Sequence, residues 1–123
     1  MTMPNIKDIN HVALHVENVT ISKDFYKNIM LFEELPRPDF DFDGAWFRLG
    51  TTQELHLLGH RTLPVHSGSR SSHFALSTDC MDEWVEHLTK MGATFKPPKQ
   101  RPDGVRQVFI IDPDGHNIEL CEV

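Results

Sequence analysis

Apolar and polar residues alternate over Ile9–Val16: Val12, Leu14 and Val16 share one face, His11, Ala13 and His15 the other. Alternation with period two predicts a strand with one buried face. Ile21, Phe25 and Ile29 then recur at helical spacing, with Asn18 or Thr20 as the N-cap. A short strand is predicted near Phe32–Leu35. Pro36 and Pro38 end it and open a loop with Asp39, Asp41, Asp43 and Gly44. Ala45–Leu49 and Glu54–Leu58 read as strands joined by a turn at Gly50–Gln53. The predicted order is βαβββ.

After a linker rich in His, Ser, Gly and Arg, Gly59–Ser71, the pattern restarts. Ser72–Ser77 reads as a strand. Asp79 is the expected N-cap of a helix whose apolar stripe is Met81, Trp84, Val85, Leu88 and Met91, with Gly92 as its C′ residue. Thr94–Lys96 is a short strand stopped by Pro97 and Pro98. Val105–Ile111 and His116–Cys121 form a hairpin around Asp112-Pro113-Asp114-Gly115, a sequence suited to a tight turn. This is again βαβββ. The fold class expected is α+β: one domain over residues 1–123. Its tandem modules, roughly 7–58 and 72–122, form a curved mixed sheet with one concave face.

The two halves share wording as well as pattern. His11-Val12-Ala13-Leu14 returns 62 residues later as His73-Phe74-Ala75-Leu76, and Leu55-His56-Leu57 returns 63 residues later as Ile118-Glu119-Leu120. The matched slots hold His11, His73, His56 and Glu119, all metal-ligand residue types. Each is flanked by large apolar residues that point the other way. The flanks are expected to cover the helices, and the four polar side chains to share the concave face. Burying three imidazoles and a carboxylate together is costly unless a cation compensates them. Nitrogen and oxygen ligands without thiolate suit Zn²⁺, Ni²⁺, Mn²⁺, Co²⁺ or Fe²⁺. A site built from separate strands with open positions has the form of a catalytic centre. Glu54 shares the face of His56 and is an alternative fourth ligand or a support for a ligating imidazole. Arg48 and Trp46 share a strand face, where Arg48 is a candidate for a substrate carboxylate and Trp46 for a pocket wall. His15, His60, His66, His87 and His116 are assigned ordinary structural roles, Glu122 is expected to be solvated, and Cys121 is expected to pack as a small hydrophobe.

Composition narrows the partners. The chain has 123 residues, 39% hydrophobic and 24% charged, enough for a core and unlike a disordered segment. A net charge of −6 argues against nucleic acid, which needs clustered Lys and Arg. No run approaches the roughly 18 apolar residues of a membrane span. The N-terminus lacks a signal-peptide core, and Cys80 and Cys121 form no CxxC pair, so a cytoplasmic location is expected.

The strings NHVALHV, KDFYKNIMLFE, SSHFALST and DPDGHNIELCEV together resemble the vicinal-oxygen-chelate superfamily (glyoxalase I, bleomycin resistance proteins, fosfomycin-modifying thiol transferases, extradiol dioxygenases). The resemblance covers essentially the whole chain. It implies paired βαβββ modules and a divalent metal that the substrate chelates through two adjacent oxygens. It also implies that His11, His73 and Glu119 are ligands, with His56 at the fourth position; the catalytic candidates are then Glu119, as ligand and proton shuttle, and His56, as a fourth ligand or a general base. Small members of this length are usually homodimers, several with the site across the interface. The activity implied is a metal-dependent lyase or isomerase of the glyoxalase type. The alternatives are a small-molecule binding or resistance protein and an Fe²⁺ extradiol-type dioxygenase. In glyoxalase I the fourth position is normally Glu, and here it is His56. The chain ends at Val123, four residues after Glu119, which weighs against the thiol transferases, since those carry a basic residue further on.

Overall fold

The computed structural model describes residues 2–123. Module one runs β1 (His11–His15), α1 (Val19–Asp24), β2 (Glu34–Leu35), β3 (Gly44–Leu49) and β4 (Gln53–Leu58). Module two runs β5 (Phe74–Ser77), α2 (Met81–Lys90), β6 (Thr94–Phe95), β7 (Lys99–Gln100), β8 (Arg106–Ile111) and β9 (Asn117–Cys121). The α+β class and the doubled βαβββ order are those expected, with the two-residue β7 added after the Pro pair.

Each module has its own mixed sheet, in the orders β1-β4-β3-β2 and β5-β9-β8-β6, with β7 on the flank of β8. The register repeats as the sequence does. Val12 lies opposite Leu55 and Phe74 opposite Ile118, both in parallel pairs. Trp46 faces His56 and Phe109 faces Glu119, both antiparallel. The alternation therefore fixes the same face in both halves. Phe47, Leu55 and Leu57 of one module and Val108, Ile110 and Ile118 of the other are fully buried in one shared core. Each such side chain contributes about 1.5–3 kcal/mol.

The helices depart from the expected pattern. Asn18 caps α1 by accepting from the Ile21 amide at 3.1 Å. A π-helical segment, Phe25–Ile29, then follows α1, and its wider turn shifts the buried face. Val19, Ser22, Phe25 and Tyr26 are buried, whereas Ile21, expected in the stripe, is exposed. Asp79 is not the cap of α2. Cys80 occupies that position, and the capping oxygen comes from Glu122, which accepts from the Met81 amide at 3.1 Å. Glu122 is thus held rather than solvated, because Arg106 also grips it with two hydrogen bonds of 2.8 and 3.0 Å. Gly92 takes the left-handed conformation expected after a helix, at φ 67°.

The modules lock together at the Asp112–Gly115 turn. Tyr26 donates to Asp112 at 2.6 Å, and Arg61 and the Glu17 amide donate to Asp114 at 2.9 and 2.8 Å. His15, His87 and His116 each bond a backbone carbonyl, those of Gly59, Ile29 and His15. Among the described residues, no helix is long and apolar enough to cross a membrane.

Candidate metal centre

The candidate residues gather as two half-sites, one on each sheet. On the first, His11 from β1 stacks on His56 from β4, with ring centroids 4.0 Å apart and planes at 17°. Trp46 covers the other face of His56 at 4.1 Å and 4°. His56 Nε2 lies 2.9 Å from Glu54 Oε1, and His11 Nδ1 lies 2.7 Å from Asn10 Oδ1. An imidazole binds a metal in its own ring plane. Two near-parallel rings 4.0 Å apart do not aim at one ion, so this stack offers His11 Nε2 and leaves His56 engaged with Glu54.

On the second half-site, His73 Nε2 lies 3.1 Å from Glu119 Oε1, and Glu119 is buried on β9. His73 Nδ1 lies 2.9 Å from two carbonyl oxygens, those of Gly68 and Ser71. Both neighbours accept, so Nδ1 carries the proton, and in the neutral ring Nε2 is a lone pair. That lone pair faces a carboxylate. Two acceptors meet there, and only an imidazolium proton or a cation resolves the contact. A separation of 3.1 Å is compatible with two donors each about 2.1 Å from one ion. The donor set fits a divalent metal, and the backbone carbonyls supply the outer-shell hold that ligating histidines use.

Among the described residues, no three His, Cys, Asp or Glu side chains converge as a metal site within one chain. The pairs His11 with His56 and His73 with Glu119 form; the expected quartet does not. Both sheets leave an edge strand, β1 and β5, without a hydrogen-bonded neighbour on its outer side. A cleft of about 830 Å³ between the modules is lined by the apolar residues Val12, Phe74, Leu76 and Trp84, with His73 at its border.

Arg48 is not turned toward His56. Its guanidinium engages Glu33 at 3.4 Å and the Thr51 carbonyl at 3.2 Å. Trp46 stands beside His56, as its strand face predicted. Burial first, and Glu119 second, push the Cys121 thiol up, which keeps it protonated and suits the packing role assigned to it. Two neighbours were missed. Phe109 meets the His73 ring edge-on at 5.2 Å, and the 63-residue repeat predicts it from Trp46. Arg101 Nη1 approaches Glu119 Oε2 at 4.0 Å from the loop after β7, where no repeat signal exists.

A family model described as Glyoxalase/Bleomycin resistance protein/Dioxygenase superfamily matches residues 8–120. The chain belongs to this superfamily. Within it, the protein named Glyoxylase I 4 of Arabidopsis thaliana is 28% identical over 125 residues, which is 95% of this chain and 71% of the relative. Metallothiol transferase FosB of Staphylococcus epidermidis is 29% identical over 124 residues, 94% of this chain and 81% of the relative. The crystal structure of the glyoxalase family protein from Enterococcus faecalis matches with a TM-score of 0.78 and 28% identity, over 94% of this chain and 98% of that one. The superfamily contains metal-dependent enzymes of both named kinds as well as dioxygenases and bleomycin resistance proteins, and membership does not decide the activity of this chain.

Proposed function

We propose that the protein is a divalent-metal-dependent lyase or isomerase of the glyoxalase type. Its substrate is a small molecule that presents two adjacent oxygens to the metal. The observation that supports this reading is the apposition of His73 Nε2 and Glu119 Oε1 at 3.1 Å, with the imidazole proton fixed on the other nitrogen.

His11, His73 and Glu119 would hold the metal, with His56 or Glu54 nearby. A bound divalent ion supplies Lewis-acid stabilisation of negative charge on a substrate oxygen. Glu119 holds one oxygen toward His73 and keeps Oε2 for a proton in transit. Arg101 Nη1 stands 4.0 Å from that oxygen. His56 is oriented through Nε2 by Glu54 and presents Nδ1 as a second proton acceptor. The half-sites lie on separate sheets, so we assign the complete site to a homodimer in which β1 and β5 edges of two copies meet.

The test begins with protein purified without a metal-affinity tag. One bound divalent ion per chain, and isomerisation of a hemithioacetal that stops on chelation, are expected. Absence of any metal-dependent thermal shift would overturn the reading. Transfer of a thiol to fosfomycin, or oxygen uptake on a catechol, would replace the lyase with another activity.

A further inference from the structure

We propose that the ring row His56–Trp46–Phe40, closed by Arg37 and Phe42, selects a neutral substrate that carries an aromatic or similarly flat apolar group. This rests on the reading of the site given above.

The row starts at a candidate ligand. His11 stacks on His56, His56 on Trp46, and Phe40 follows Trp46 at 6.2 Å. It therefore crosses the first sheet from the β1 edge to the loop that follows β2. Phe40 and Phe42 stack on each other at 5.2 Å yet remain 44% and 43% exposed. Their position is fixed. Arg37 lies 4.9 and 4.8 Å over the two rings and donates to the Phe42 carbonyl at 2.9 Å. The Phe40 amide donates to the Pro38 carbonyl at 2.9 Å. Gly44 closes the loop where a Cβ would come within 2.4 Å of the Leu57 carbonyl oxygen, so the loop sits tightly against β4. A preorganised aromatic pair left in water, continuous with a candidate metal ligand, is suited to a ring contributed by the ligand of that metal.

Charge narrows the class. Asp39, Asp41 and Asp43 alternate with the two phenylalanines and are exposed. The Arg37 charge is already committed to two rings and a carbonyl. An anionic tail over this loop meets net negative charge, whereas a neutral ring meets apolar surface.

Two probes separate the terms. Benzohydroxamate and acetohydroxamate chelate through the same adjacent oxygens and differ in phenyl against methyl. Calorimetric titration of the Zn²⁺-loaded full chain is expected to show benzohydroxamate binding about 10-fold tighter, the scale of one good aromatic contact. 4-Carboxybenzohydroxamate should lose that advantage. The preference should shrink toward unity in Phe40→Ala with Phe42→Ala and stay intermediate in Phe40→Leu, with thermal melts confirming that each variant folds. Equal binding of the phenyl and methyl probes, a preference that survives the double alanine variant, or full affinity for the carboxylated ring would overturn this inference and leave the metal reading standing. Failure of both neutral probes to bind would overturn the metal reading, and this inference with it.

Discussion

His73 Nε2 and Glu119 Oε1 face each other at 3.1 Å, with the other ring nitrogen, Nδ1, held by the carbonyls of Gly68 and Ser71. Glu119 is buried beneath this contact. A buried carboxylate facing an imidazole lone pair is unfavourable without positive charge between them. A proton shared by the pair, or a bound cation, supplies that charge, and the metal affinity of the parent protein and of Glu119→Gln separates the two.

Glu119→Gln replaces a charged oxygen donor with a neutral amide and should weaken divalent-metal binding by more than the roughly 10–100-fold typical of outer-shell partners. Competition with a chromogenic chelator measures this directly. His56→Phe preserves the stack on Trp46 and removes the contact with Glu54, and it should weaken metal binding less than Glu119→Gln does. Equal losses in the two variants would make His56 a full ligand and would require the His11–His56 stack to open.

Much of this was legible in the sequence because strand alternation is a two-valued property. Once Val12, Leu55, Phe74 and Ile118 are assigned to the core, His11, His56, His73 and Glu119 must share the opposite face. The 62- and 63-residue offsets then predict the same register in both sheets. Alternation does not say which faces meet. The quartet divides between two sheets because β1 pairs with β4 and β5 with β9, each inside its own module. The π-helical segment Phe25–Ile29 has no period of its own to read. The cap that Glu122 provides to α2 comes from 41 residues away, beyond any local signature. Arg101 reaches Glu119 from an irregular loop for the same reason.

Tyr26→Phe tests the lock between the modules. The hydroxyl donates to Asp112 at 2.6 Å, and both residues are buried. Its loss leaves a buried carboxylate oxygen short of a partner, at about 1–3 kcal/mol. The melting temperature should fall with the helical signal otherwise unchanged. Burial first, then Asp112, raise the tyrosine pKa well above its ordinary 10. The folded state therefore keeps a proton that the unfolded chain releases, and stability is intact below pH 10 and lost as pH rises beyond it. Denaturant midpoints should show this alkaline loss in the parent and a smaller one in Tyr26→Phe.

Glu122 gives the opposite sign. Arg106 first, and the Met81 amide second, hold its pKa below the ordinary 4.5. The contribution is present above pH 4.5 and disappears as pH falls through the lower folded value. Glu122→Gln should therefore be less stable than the parent at neutral pH, and the gap should narrow in acid. Urea midpoints across this range provide the measurement; parallel curves would mean that the Arg106 pair contributes nothing.

The dimeric site makes a prediction that a site within one chain does not. His11 belongs to the first sheet and Glu119 to the second. If each site joins the first half of one copy to the second half of its partner, His11→Ala and Glu119→Gln each disable both sites of their own homodimer. A heterodimer of the two variants then has one site with both defects and one with neither. After equimolar mixing and subunit exchange, half the dimers are mixed, so about a quarter of all sites regain wild-type composition. Metal titration should recover high-affinity binding at about that fraction, and metal-dependent activity should return in proportion. A site confined to one chain never regains function on mixing, because every copy still carries one defect. Sedimentation of the mixture establishes that dimers are present and exchanging, so unrestored binding in exchanging dimers would assign the metal to single chains.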